Sequence, residues 1–287
     1  MHRHLSALLF LATAAFAAVD PTQFSSAKTL FDQRKLVEAQ SAFEKLSAAN
    51  PNDPEVNFYL GEIARRREDF DQAVEFLLKA TQAAPATARY FHALGDTYGQ
   101  AAQKASVFSK PGLASKCRVA YEKAVELDPA SVNYRRSLLG YYRQAPGFMG
   151  GGMDKAYAQA EEIRKLDASA GRFELAGLYV ADKKYPEAFS LYDAALKDAP
   201  EDYFALFQVG RLAAITGQQV DRGMECLKKC LTMTPPANAP GYAAAHWRVG
   251  NLWEKKGDKT AARAAYEASL KVDPKFPQAI DSLKNLK

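Results

Sequence analysis

The sequence predicts an all-α chain built from about seven stacked helix-turn-helix repeats and a C-terminal capping helix. Three observations carry this. Prolines recur at intervals near 34 residues, a small–bulky–small triplet recurs with them at helical spacing, and the composition is that of an ordinary folded protein. Of 287 residues, 48% are apolar and 25% charged, which excludes a disordered or collagen-like chain and leaves enough material for a large core. The formal charge of 38 − 33 = +5 is too mild to point to nucleic acid or an anionic membrane as partner. Three cysteines exclude a disulfide-dense scaffold, and four histidines leave little material for a metal enzyme.

The first element reads as a processing segment. His2, Arg3 and His4 precede the apolar run from Leu5 to Phe16, and Ala15-Phe16-Ala17 supplies a small-x-small site. These are the features of a secretory signal peptide, with cleavage expected after Ala17. A spanning helix needs about 20 apolar residues, and Asp20 and Pro21 stop this run too early. No later stretch is long and apolar enough to cross a bilayer. Residues 1–17 are thus expected to be a signal peptide, and the mature protein to be exported, periplasmic or secreted, with no membrane span. Loss of Arg3 would leave it at 5 − 1 = +4.

The array is expected over residues 18–274. Pro51 and Pro85 are 34 residues apart, and Pro200 and Pro235 are 35 apart. Pro85 to Pro129 is 44, one unit with about ten residues added, and Pro129 to Pro200 is 71, two units with one proline missing. Pro235 to Pro274 is 39, one unit with a small insertion. Each proline ends a helical segment, where a missing N–H and a fixed φ stop the helix. Before each stop runs the triplet Ala39, Phe43, Leu46, then Ala73, Leu77, Ala80, then Cys117, Tyr121, Ala124. It continues with Ala156, Ala160, Ile163, with Ala188, Tyr192, Ala195, with Gly223, Leu227, Cys230 and with Ala262, Tyr266, Ser269. Steps of four and three put each triplet on one helix face, where small residues admit a neighbouring helix and the bulky one fills its groove.

An earlier helix in each unit carries Leu60-Gly61 with Ala64, Leu94-Gly95 with Tyr98, Leu175-Ala176 with Tyr179, Val209-Gly210 with Ala213, and Val249-Gly250 with Trp253. Glycine inside a helix costs about 1 kcal/mol against alanine, so its recurrence in register predicts close helix contact. Two connections are expected to be long: residues 99–113 in the third unit and 144–153 in the fourth. The second holds Gly147 to Gly152 at Walker-loop spacing, but Met153 and Asp154 stand where Lys and Ser/Thr are needed. The glycines are therefore expected to reverse the chain and start a helix at Asp154, or else to present Phe148 and Met149 to a partner. In the last segment, residues 275–287, charged Asp281, Lys284 and Lys287 alternate with apolar Ile280, Leu283 and Leu286, as in a cap over the final repeat.

This two-helix unit of about 34 residues resembles the tetratricopeptide repeat. Phe91, Leu94, Gly95, Tyr98, Tyr121, Ala124 and Pro129 match its pattern in the third unit, as do Leu60, Gly61, Ala73, Ala80 and Pro85 in the second. The fourth unit departs most, with Leu138-Leu139 for Leu-Gly and no proline after Asp167. The resemblance implies a right-handed superhelical α-solenoid whose first helices line a concave groove that binds extended peptides or partner helices. Mapped onto this chain, that face selects Phe58, Glu62, Arg65 and Arg66, then Arg89, His92, Asp96 and Gln100, then Arg135 and Arg136. Phe173, Phe204, Phe207, Arg211, Trp247, Asn251 and Glu254 continue it. Aromatics and arginines are the types enriched at binding hot spots. The Lys/Asn/Arg set by which some members of the family hold C-terminal carboxylates is not found at matching positions.

No catalytic or metal motif appears. Beyond the signal, only His92 and His246 remain, about 150 residues apart, and no Cys-x-x-Cys or Gly-x-Ser-x-Gly occurs. Cys117 and Cys230 take small packing positions and read as buried thiols, and Cys226 and Cys230 are poorly spaced for a disulfide. No cofactor is expected. The sequence supports a non-catalytic exported scaffold or adaptor with a protein or peptide partner. The alternative is a small-molecule binding or delivery component, with a pocket near His92, Tyr98, Tyr142 and Phe148.

Overall fold

A computed structural model describes residues 19–286, and the expected signal peptide at residues 1–17 lies outside them. Among the described residues there are fifteen α-helices, one short 3-10 turn and no strand. Three successive helix pairs pack within each of two compact units, and a single last helix follows.

The chain forms two compact units. In the first, α1 (Pro21–Asp32) packs on α2 (Leu36–Ala49), α3 (Pro54–Arg66) on α4 (Phe70–Ala83), and α5 (Ala88–Lys104) on α6 (Lys110–Leu127). Successive pairs stack through α2 on α3 and α4 on α5, and most of α7 (Val132–Gln144) belongs here too. In the second, α8 (Met153–Leu166) packs on α9 (Ala168–Ala181), followed by α10 (Tyr185–Asp198), α11 (Tyr203–Thr216) and α12 (Val220–Thr232). Then come α13 (Tyr242–Lys255), α14 (Lys259–Val272) and the last helix, α15 (Pro277–Asn285), which packs on α14.

The helix starts follow from short polar caps. Asp20, Asp53, Asp69, Asp167, Asp202 and Asp258 each accept a backbone N–H from the first turn, as does Ser131. Each cap satisfies at least one orphan donor, and the aspartates also place negative charge at the positive end of the helix.

The triplets build the core. Every member is buried except Tyr121, which is half-buried. The glycines explain how paired helices approach so closely. A Cβ at Gly61 would lie 2.7 Å from Leu77, one at Gly95 2.5 Å from Tyr121, one at Gly210 2.3 Å from Leu227, and one at Gly250 2.3 Å from Tyr266. In each case a first-helix glycine is the hole and the bulky residue of the second helix is the knob. Burying such a knob contributes about 1.5–3 kcal/mol, which offsets the propensity lost at the glycine. The fourth repeat reverses the sizes. Leu139 stands in the glycine register and Ala160 in the bulky one, and both are buried.

The two expected long connections turn out differently. Residues 99–113 are not a loop: α5 runs on to Lys104 and α6 begins at Lys110, so the extra residues lengthen both helices. Pro111 lies in the first turn of α6, where its missing N–H is tolerated. The short tip between them exposes Val107 and 96% of Phe108. Residues 144–153 do form a turn, with α8 starting at Met153. Gly150 takes a left-handed φ of +83°, and a Cβ at Gly151 would lie 1.8 Å from the Ala145 carbonyl oxygen. Tyr141 ties this turn down by donating to the Met149 carbonyl at 2.7 Å.

Candidate functional site

On each first helix the triplet-facing side is buried, and the opposite stripe carries the polar and aromatic residues that do not belong to the core. On α11 this stripe is Phe204, Gln208, Arg211 and Ile215, at steps of four, three and four, while the residues between are buried. The other first helices present their own sets in the same register.

In the first unit the stripe is a closed polar network. Arg65 donates from Nε to Glu62 at 3.0 Å and from Nη2 at 2.7 Å, a fork-to-carboxylate pair with side chains only 18% and 11% exposed. Asp96 accepts the Tyr121 hydroxyl at 2.7 Å. His92 Nε2 lies 2.8 Å from the Ser137 hydroxyl, and its ring packs against Tyr134 and Tyr121. Burial pushes the His92 pKa below the ordinary imidazole value, although Asp96 and Glu62 pull the other way. Arg89 pairs with Glu55, which also accepts the Tyr90 hydroxyl at 2.6 Å, and its guanidinium lies 5.0 Å over the Phe58 ring.

Ser137, His92 and Asp96 stand in the order of a hydrolytic triad, but the geometry does not activate the serine. His92 Nδ1 is 3.7 Å from Asp96, beyond hydrogen-bond reach, and Asp96 is engaged by Tyr121. Ser137 sits inside α7, where backbone amides serve the helix ladder rather than an oxyanion. The set orients an imidazole.

In the second unit the stripe is basic. Arg211 on α11 donates to Gln208 at 3.1 Å, and Arg248 on α13 reaches the Asn251 carbonyl oxygen at 3.5 Å. Arg248 also lies 4.0 Å over the Trp247 ring, and its Nε is buried without an acceptor. Burial first, and then the neighbouring charge of Arg211, push the Arg248 pKa down to about 10. Asn251 donates to the Tyr266 hydroxyl at 2.8 Å, and Tyr266 in turn donates to Glu254 at 2.5 Å.

The expected site residues therefore divide. Arg89, Phe204 and Arg136 are exposed, and Phe58, His92, Asp96, Arg135, Arg211 and Asn251 are half-buried on the stripes. Arg135 donates through Nε to the Pro129 carbonyl at 2.8 Å. Three expectations are corrected. Phe207 is 4% exposed and belongs to the core of the second unit. Trp247 is held by the last helix: its Nε1–H donates to Ser282 at 3.0 Å and its ring meets Phe276 edge-on. Arg65 and Glu62 satisfy each other instead of facing a partner. Of the residues named for a pocket, Tyr98 is buried and Phe148 is 80% exposed. Two features escaped the sequence, Arg248 and the Val107–Phe108 tip.

All three cysteines are free and buried, and burial raises the Cys117 and Cys230 thiols to about 12. These are inert packing groups at neutral pH. Among the described residues no group of three or more His, Cys, Asp or Glu is placed to hold a metal ion, and no helix is long and apolar enough to cross a membrane.

The tetratricopeptide repeat family model matches residues 24–88 and 236–280. These two segments are similar to tetratricopeptide repeats. The chain is 28% identical to mouse tetratricopeptide repeat protein 7B over 162 residues, which are 53% of this chain but only 18% of that protein. A tetratricopeptide repeat protein from Parabacteroides merdae superposes with a TM-score of 0.66 at 16% identity, covering 92% of this chain and 97% of its own. The C-terminal part of a repeat-containing protein from Cytophaga hutchinsonii gives 0.58 at 22% identity, covering 91% and 99%. These likenesses establish the helix-pair fold. Tetratricopeptide repeats generally mediate contacts between proteins and are generally non-catalytic.

Proposed function

We propose that the chain is an exported, non-catalytic adaptor that binds a peptide or helix of a protein partner along its first-helix stripes. The observation that carries this reading is the α11 stripe. Phe204 and Ile215 are exposed apolar side chains flanking Arg211 on one face of a helix that is otherwise core. With 37% and 42% of these side chains still exposed, covering them with a partner's apolar group would recover about 1 kcal/mol each. Arg89 and Phe58 offer the same pairing of cation and aromatic in the first unit. The expected cleavage after Ala17 supports export.

The test is affinity capture from the envelope fraction with wild-type protein and with Phe204→Ala/Ile215→Ser. The variant is expected to melt like wild type and to retain the partner at least about tenfold less well. Equal retention by both would move the contact off α11. Mass spectrometry of the exported protein is expected to find the N-terminus at Ala18, and an intact Met1 on cytosolic protein would remove the export half of the reading.

A further inference from the structure

Most half-buried arginines of this chain meet a carboxylate. Arg65 meets Glu62 and Arg172 meets Asp198. Arg211 and Arg248 do not. They stand on α11 and α13, two first helices that pack together, and among the described residues their only hydrogen-bond acceptors are the neutral side-chain amides of Gln208 and Asn251. The nearest acid along α13, Glu254, is taken by the Tyr266 hydroxyl.

Two like charges brought together and partly stripped of water cost stability unless an opposite charge joins them. The Trp247 face compensates Arg248 in part, since a cation over an aromatic ring gains electrostatic energy. It cannot accept at the buried Nε. Each guanidinium carries five N–H donors in a planar fork that matches the oxygens of a carboxylate or phosphate. Gln208 and Asn251 use only a fraction of those ten.

We propose that Arg211 and Arg248 form a binding site for one oxoanion, a carboxylate or phosphate group, with Trp247 holding the Arg248 plane. The low pKa of Arg248 fits a cation awaiting its counter-charge, and at about 10 it still leaves the group charged at neutral pH. The inference deepens the adaptor reading by naming the chemistry that the second unit selects. A lysine would not serve equally, because a point charge lacks the fork.

The experiment is thermal unfolding of the full chain in sodium phosphate and in N-acetylglutamate, each against sodium chloride of equal ionic strength. Wild type is expected to rise by about 5 °C or more at a hundredfold excess over Kd. Arg248→Gln and Arg211→Gln should each abolish the rise, while Arg34→Gln, in the first unit, should keep it. Arg248→Lys should fold and respond more weakly, which guards against a variant that fails through misfolding. Response to phosphate alone, to the carboxylate alone or to both supports the site and names its ligand. No rise beyond chloride, or the same rise in the glutamine variants, overturns it. The assay needs no partner, so it can succeed where capture through Phe204 fails, and the reverse.

Discussion

The two units build their cores alike and their first-helix charges differently. In the first, the position after the repeat glycine is acidic, Glu62 and Asp96, and each carboxylate is taken by a neighbour, Arg65 or Tyr121. In the second, the same position holds Arg211 and Asn251, with Arg248 one turn before Asn251, and no carboxylate meets either arginine. Helix packing tolerates both, because the contact between glycine and bulky residue is the same in the two units. The fold therefore fixes where the stripe runs and leaves its charge free to vary. A satisfied network stiffens a surface, whereas an unsatisfied one is a place for something else to bind.

The largest effect expected is one that both units share. Leucine at Gly95 would drive side-chain atoms into the Tyr121 ring, and leucine at Gly210 into Leu227, where even a Cβ would come within 2.5 and 2.3 Å. Overpacking of this kind costs about 1–3 kcal/mol, occasionally more. Gly95→Leu and Gly210→Leu should each lower stability by more than about 2 kcal/mol in urea unfolding. A variant that melts like wild type would show that its unit does not rely on the glycine hole.

The second effect is smaller and belongs to the first unit alone. Glu62→Ala removes the carboxylate from Arg65 and leaves a half-buried guanidinium without its fork partner. Hydrogen bonds to charged groups contribute about 1.5–3 kcal/mol, so a loss of about 2 kcal/mol is expected. Glu62→Gln, which keeps one acceptor oxygen, should lose less. If both variants unfold at the wild-type midpoint, the first unit's network is no more cohesive than the second's and the contrast between them collapses.

What was readable in the chain follows from which contacts are local. The triplets and glycines were legible because a helix face repeats every 3.6 residues and close approach demands a small side chain. The Glu62–Arg65 pair is also within reach of the sequence, since residues three apart on a helix are neighbours, although both types equally suit a binding surface. The lengthened α5 and α6 were hidden by Pro111 and Gly112, which read as loop although a proline in the first turn starts a helix. Trp247 was misplaced because its partner, Ser282, is 35 residues away on the last helix. Arg248 was overlooked beside that tryptophan, although it occupies the register of Gln208, two residues before the repeat glycine. That shared register was the signal.

The smallest expected effect is the one that most sharpens the contrast. Arg248→Met replaces a guanidinium that is half-buried beside another cation with an apolar chain of similar length, able to lie on the same Trp247 face. The variant gives up a cation–π contact of about 0.5–1 kcal/mol. It also removes the repulsion from Arg211 and the desolvation of a buried Nε with no acceptor, which act in the opposite direction. The net change should lie within about 1 kcal/mol, on the stabilising side, when unfolding is measured in chloride buffer at neutral pH. The comparison with Glu62→Ala then has opposite signs in the two units: removing a charge damages the unit in which charges are matched and relaxes the one in which they are not. Adding phosphate or N-acetylglutamate should restore the wild type's advantage, because only the wild type binds the anion. A destabilisation of 2 kcal/mol or more in chloride would instead make Arg248 a structural residue, and the basic stripe of the second unit would lose its claim to be a site held open for a ligand.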